Sequence, residues 1–203
     1  MGASRHPPGA PREGTHPVFD TRKTTFGVVA AGTLAASALL GAPAGAATAP
    51  AADATARYAS FEGRTLDLSG DWGEARVCMV WQGRGAVECF RTAAEQEARA
   101  GQLRATATAR QVLAACSTPL DLYQYTDKGG RDLKFYDRGY WQNLSAYSFD
   151  NATSSYWTGA CTAHLAENAG GGGYWYPGNT GPNHIENSMR SGWDNRVSSI
   201  KID

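Results

Sequence analysis

Two short stretches decide how this chain is read: Asp150-Asn-Ala-Thr-Ser-Ser155, followed by Tyr156-Trp157, and Asp194-Asn-Arg-Val-Ser-Ser199, followed by Ile200-Lys-Ile202. They lie 44 positions apart, and both read Asp-Asn-x-x-Ser/Thr-Ser or its close equivalent leading into a strand. At average composition one such match arises by chance roughly once in 50 chains of this length. Two in matched contexts are much rarer. Asp and Asn offer carbonyl-type oxygens, Ser offers a hydroxyl, and a turn leaves its backbone carbonyls free. Oxygen-only ligation with flexible geometry suits calcium and not zinc or copper. The alternative for one copy is an Asx-turn that starts a strand, with Ser capping it; two copies at this spacing favour metal binding. Asn151-Ala-Thr153 also has the form of a glycosylation sequon.

Outward from these stretches, residues 119–203 are rich in aromatics separated by Gly, Asn and Asp turns, which predicts an all-β sandwich or barrel. The run Gly170-Gly-Gly-Gly173 lies between strand-like segments and is expected to mark a tight fold of the chain rather than a linker. Upstream, Arg64–Leu68, Ala75–Trp81 and Ala86–Phe90 read as strands, the last two forming a hairpin about a Gln-Gly-Arg-Gly turn. Thr92 and Glu95 form a capping box, and a helix interrupted at Gly101 is expected to run to about Ala115.

At the N-terminus, Arg22 and Lys23 precede the apolar run Phe26–Leu40, and Ala44-Gly45-Ala46 offers a small-x-small exit. This predicts a signal peptide over 1–46, a chain starting near Ala47, and a disordered tail over 47–57. The 203 residues carry 19 basic and 19 acidic side chains, a balance that excludes the basic footprint of a nucleic-acid binder. Residues 1–46 hold four of the basic and two of the acidic residues, so the exported part is mildly acidic. A hydrophobic fraction of 42% with 19% charged residues predicts a folded protein, with no membrane association after signal removal. All four cysteines, Cys78, Cys89, Cys116 and Cys161, lie in the exported part, so two disulfides are expected in an oxidising compartment. Of the three pairings, Cys78–Cys89 across the hairpin and Cys116–Cys161 are favoured. A zinc site is disfavoured because no CxxC or neighbouring His pair is present.

With these residues in place, the segment 116–203 resembles a βγ-crystallin domain, in which two Greek-key motifs each end in the serine-bearing calcium signature. The resemblance implies two Greek keys forming a sandwich, preceded by a hairpin and helix segment over 58–115. The family's second mark is an aromatic, four residues, an aromatic, one residue and a glycine. Its counterparts here are Tyr123–Gly130, with Lys128 at the second aromatic, and Leu165–Gly172, which keeps the spacing and the last glycine. The resemblance implies calcium sites shared between the halves. Asn151, Asn195, Ser154 and Ser198 would offer side-chain oxygens, and Ala152, Arg196, Gln124 and Ala166 backbone carbonyls. Asp150 and Asp194 would fix the turns or add charge. Modest affinity is expected, roughly 10⁻⁵ to 10⁻³ M.

The arrangement is also similar to secreted bacterial metalloproteinase inhibitors, which implies an extracellular protease as partner, with Tyr174–Asn179 or the 180–193 loop as contact. The alternatives are a cell-wall or carbohydrate-binding module stacking sugars on Trp141, Trp157, Trp175 or Trp193, and a structural protein stabilised by calcium. No enzyme is expected. His164 and Glu167 form no HExxH, Ser154 and Ser198 lack a GxSxG context, and Asp137 with Glu167 would need a glycosidase separation. His184 reads as a loop residue.

Overall fold

Alternation in two neighbouring strands sets the architecture. In β5 (Ala115–Tyr125) and β6 (Gly129–Asp137), Leu120, Leu122, Leu133 and Phe135 point to one face, while Asp121, Tyr123, Lys134 and Tyr136 point to the other. All eight are buried, so the sheet is covered on both faces. The computed structural model describes residues 57–203. The expected signal peptide and all but Arg57 of the expected tail lie outside the described residues. Arg57 itself is forked onto the Asp67 carboxylate at 2.9 and 2.7 Å.

The protein is an all-β sandwich of two sheets with short helices at one side. Ahead of β5 come β1 (Tyr58–Phe61), β2 (Arg64–Asp67), β3 (Val77–Trp81) and β4 (Ala86–Phe90). After β6 come β7 (Trp141–Asn143), β8 (Ser155–Trp157), β9 (Ala163–Ala166), β10 (Ile185–Glu186) and β11 (Ser199–Ile202). The large sheet has the order β10-β8-β5-β6-β3-β4-β1-β2, and the small one β7-β11-β9. The four strands of one Greek key are β5, β6, β7 and β8. The second uses β9, the single bridge Ala166↔Trp175, β10 and β11. The two keys exchange their third strands: β7 pairs with β11, and β10 pairs with β8. Between the sheets, Leu122, Phe135 and Tyr156 meet Leu144, Leu165, Val197, Ile200 and Ile202 in one core cluster.

The sheet runs through the 115/116 position without a break, because β3 pairs in parallel with β6 from Val77↔Asp132 to Val80↔Phe135. Trp72, fully buried, donates its indole N–H to the Tyr147 carbonyl at 2.9 Å. Cys78 and Cys89 stand directly opposite on β3 and β4 and form one disulfide; Cys116–Cys161 is the other.

The helix expected to reach Ala115 is two helices, and Ala115 already belongs to β5. Helix α1 spans Ala93–Ala105 and runs unbroken through Gly101, which is exposed and costs a helix only about 1 kcal/mol. The chain leaves the helix at Thr106, whose hydroxyl turns back onto the Gln102 and Leu103 carbonyls. Thr108 then caps α2 (Ala109–Leu113), with Gln111 closing a second capping box. Ala100 and Leu103 of α1 cover Met79, Trp81 and Tyr136 on the outer face of the large sheet. No helix among the described residues is long and apolar enough to cross a membrane.

Candidate metal centre

The two signature turns meet each other through reciprocal backbone hydrogen bonds. Asn151 N–H donates to the Val197 carbonyl and Asn195 N–H to the Thr153 carbonyl, both at 3.0 Å. Asn151 and Asn195 both adopt left-handed backbone, φ 54° and 55°, which Asn tolerates better than most residues. Each turn thereby presents its second-position amide to the other turn. Ser154 Oγ lies 3.4 Å from Asn195 Oδ1, and Ser198 Oγ lies 3.4 Å from Asn151 Oδ1. The exchange is reciprocal, so each clamp draws one oxygen from each motif.

The Asp at the first position orients the amide. Asp150 Oδ2 accepts from Asn151 Nδ2, and Asp194 Oδ2 from Asn195 Nδ2, each at 3.3 Å. The nitrogen is thus occupied and the amide oxygen is turned toward the serine. The fifth-position serines are fixed by their backbones. Ser154 N–H donates to Tyr123 O, and its carbonyl accepts from Met189 N–H; Ser198 N–H donates to Ala166 O, and its carbonyl accepts from Leu144 N–H.

These bonds correct the frame of the second motif. Tyr123 and Ala166 do the same work, so Gln124 corresponds to Glu167, and the pairing of Gln124 with Ala166 as carbonyl donors was one residue out of step. Ala166 already spends its carbonyl on Ser198. The folded hairpins agree: positive φ falls at Asp127, Lys128 and Gly130 in the first motif and at Gly170, Gly171 and Gly173 in the second. The counterpart of Tyr123–Gly130 is therefore Ala166–Gly173, not Leu165–Gly172. Gly171 is required here. Its φ is 82°, and a Cβ would enter the Trp141 indole.

The sixth-position serines have a separate role that the sequence reading missed. Ser155 Oγ donates to Tyr125 O at 2.6 Å and accepts from Lys128 N–H at 3.2 Å. Ser199 Oγ donates to Asn168 O at 2.6 Å and accepts from Gly171 N–H at 2.9 Å. Both serines are fully buried and pin the hairpin over the sheet. The Ser-Ser pair in each copy was the available signal.

The donor set fits a hard cation. Among the described residues no cluster of three or more His, Cys, Asp or Glu exists; the oxygens that the turns bring together are amide and hydroxyl oxygens. Ala152 and Arg196 stand at the third positions. Arg196 is forked onto Glu167 Oε1 at 3.0 and 2.6 Å, and this guanidinium holds the Glu167 carboxyl below the usual range. The clamp beside Glu167 therefore carries an ion pair, while its partner clamp has Gln124 and Ala152 at the same positions.

The other residues singled out are engaged elsewhere. Asp137 accepts the backbone N–H groups of Gln82 and Gly83 at 2.6 and 3.1 Å. His164 bonds to Asp203, and His184 pairs through Nδ1 with Asn179. In the candidate contact loops Tyr174 and Trp175 are 75% and 50% exposed, while Tyr176 and Trp193 are buried edge to face.

Neither a family model nor a curated protein matches the chain. Solved structures that resemble it include βγ-crystallin domains. The one from Ciona intestinalis is 19% identical, covers 42% of this chain and is itself covered over 99%, with a TM-score of 0.36. A domain from Flavobacterium johnsoniae is 21% identical over 41% of this chain and 92% of its own, with a TM-score of 0.33. An archaeal βγ-crystallin is 22% identical over 42% and 98%, with a TM-score of 0.33.

Proposed function

We propose that the chain is an extracellular calcium-binding protein of βγ-crystallin type, in which two clamps formed between the Greek keys each hold one ion. The observation that carries this reading is the reciprocal approach of Ser154 to Asn195 and of Ser198 to Asn151. One clamp would use Ser154, Asn195 and the Gln124 carbonyl; the other Ser198, Asn151 and the Glu167 carbonyl, with Ala152 and Arg196 offering third-position carbonyls. Calcium supplies charge that ties the two motifs together, so binding stabilises the fold by mass action. Two disulfides fit an oxidising compartment. Calorimetric titration with calcium, with melting curves in calcium and in chelator, tests it. Two binding events and a raised melting temperature are expected; no binding at millimolar calcium would leave the signature turns purely structural.

A second reading, inhibition of an extracellular metalloprotease, is favoured by the exposed pair Tyr174 and Trp175 on the 174–179 loop. It requires a stoichiometric complex that Tyr174→Ala with Trp175→Ala abolishes. Failure of any secreted metalloprotease to be retained or slowed would remove it.

A further inference from the structure

The outer face of the large sheet carries a polar cluster that the calcium reading does not use. Asp121 and Lys134 stand directly opposite each other on β5 and β6, in a row that runs Met79, Lys134, Asp121, Trp157 across four strands. Lys134 Nζ lies 2.5 Å from Asp121 Oδ2 and 2.9 Å from the Oδ2 of Asp132, which is two residues earlier on the same face of β6. Tyr123 OH donates to Asp121 Oδ2 at 3.1 Å. Asp121, Lys134 and Asp132 are 1%, 7% and 8% exposed, and the neighbours Met79, Tyr123 and Tyr136 on this face are buried too.

The surroundings serve these charges poorly. Among the described residues nothing donates to Asp121 Oδ1 or to Asp132 Oδ1, although both atoms are buried. Burial raises the Asp121 carboxyl and, with the Asp121 charge, pushes Asp132 up to about 7. Burial likewise works against the Lys134 ammonium; it is the two ionised carboxylates that hold it above its usual range. A proton passed from Lys134 to Asp121 therefore takes two charges out of the interior at once, leaving an amine against a carboxylic acid.

Those two groups are the reactants of a condensation. In water they would remain solvated ions. Here solvation is withheld, and the groups are held in contact, which in well-oriented pairs equals an effective concentration of about 10⁵ to 10⁸ M.

We infer that Lys134 and Asp121 join in an intramolecular amide bond between β5 and β6, with Asp132 as the proton shuttle. Nζ, as the free amine, bonds to Asp121 Cγ. Asp132 takes a proton from Nζ as it gives one to the departing Asp121 oxygen, which leaves as water. One ammonium and one carboxylate thus become one amide and one water, no oxidant or further reactant is needed, and Asp132 ends as it began. The Tyr123 hydroxyl polarises the carboxyl under attack. Unlike the two disulfides, this tie persists in reductant.

The test is the mass of the full chain, kept folded near neutral pH and then denatured and reduced. It should fall short of the sequence by one water. Trypsin, blocked at Lys134, should release peptides 111–128 and 132–138 as one joined species, with fragment ions that place the link on Asp121 and Lys134. Lys134→Arg keeps the charge but lacks the amine, and should show the full mass with the two peptides separate. Asp132→Asn removes the shuttle, whose proton transfers are worth about 100-fold or more in rate, and should leave most of the chain unlinked. If either variant fails to fold, the unsubstituted chain decides alone. Full mass with cleavage at Lys134 would overturn the inference. So would a water lost within a single peptide, as when an aspartate cyclises on its own backbone. An undiminished link in Asp132→Asn would overturn the role given to Asp132.

Discussion

At the scale of single residues, the paired serines of each signature have divided labour, and the division is measurable. Ser154 and Ser198 hold hydroxyls toward the opposite motif's Asn, while Ser155 and Ser199 spend theirs on the backbone of the folded hairpins. Ser154→Ala should therefore remove one of two calcium events, and the double variant with Ser198→Ala both, with little change of melting temperature in chelator. Ser155→Ala leaves the clamp oxygens in place but removes, at a fully buried position, the partner of the Tyr125 carbonyl and Lys128 N–H. It should lower stability in chelator by about 1 to 3 kcal/mol, read by denaturant unfolding. Interchanged results for the two serines would reverse the assignment of ligand and scaffold.

At the scale of elements, the signature turns were legible because their chemistry sits in side chains, and the chemistry of Asp, Asn and Ser survives in a bare sequence. The second hairpin was not, because Gly170–Gly173 presents four identical residues, and only the backbone angles show which of them corresponds to Lys128 or Gly130. The exchanged strands were beyond reach for another reason: β7 and β10 are three and two residues long, too short for a period to register. The helix end at Thr106 was missed because Ala-rich sequence continues past it, and the decisive event is one hydroxyl bonding backwards. Two glycines now have opposite predictions. Gly171→Ala puts a Cβ into Trp141 on a positive-φ residue and should cost about 2 kcal/mol or more. Gly101→Ala meets nothing within 4 Å in mid-helix and should stabilise by about 0.5 to 1 kcal/mol. Thermal melts of both variants check the pair, and equal effects would show that hairpin and helix are not as described.

At the scale of the molecule, the sheet order gives residues 58–115 a structural duty. They pair β3 onto the β6 edge and lay α1 over Met79, Trp81 and Tyr136, beside Asp121 and Lys134, turning what alternation alone would assign to solvent into an interior. The consequence is a pH dependence. Burial, with the Asp121 charge beside it, pushes Asp132 up to about 7 even though Lys134 pulls it down, and burial also pushes Asp121 upward. Between the ordinary carboxylate range and pH 7 the folded protein thus holds protons that the unfolded chain has released. Stability from this cluster is full in acid and lost as pH rises through 7. The carboxylates of Glu62, Asp67, Glu74, Glu167 and Asp203, held low mainly by hydrogen-bonded Arg or Lys side chains, act the other way, but only below their usual range. Across pH 5 to 8 the buried cluster should therefore dominate, and the melting temperature should fall as pH rises, measured in chelator so that calcium linkage does not enter. Asp132→Asn, which keeps the shape and removes the titration, should flatten that fall. Residues 116–203 expressed alone would open the cluster to water and bare the β6 edge. They should lose the pH 5 to 8 dependence and associate through that edge, as light scattering would show. A monomeric fragment with the full chain's pH profile would mean that the cluster is not buried by α1 and β3, and that the upstream segment only accompanies the sandwich.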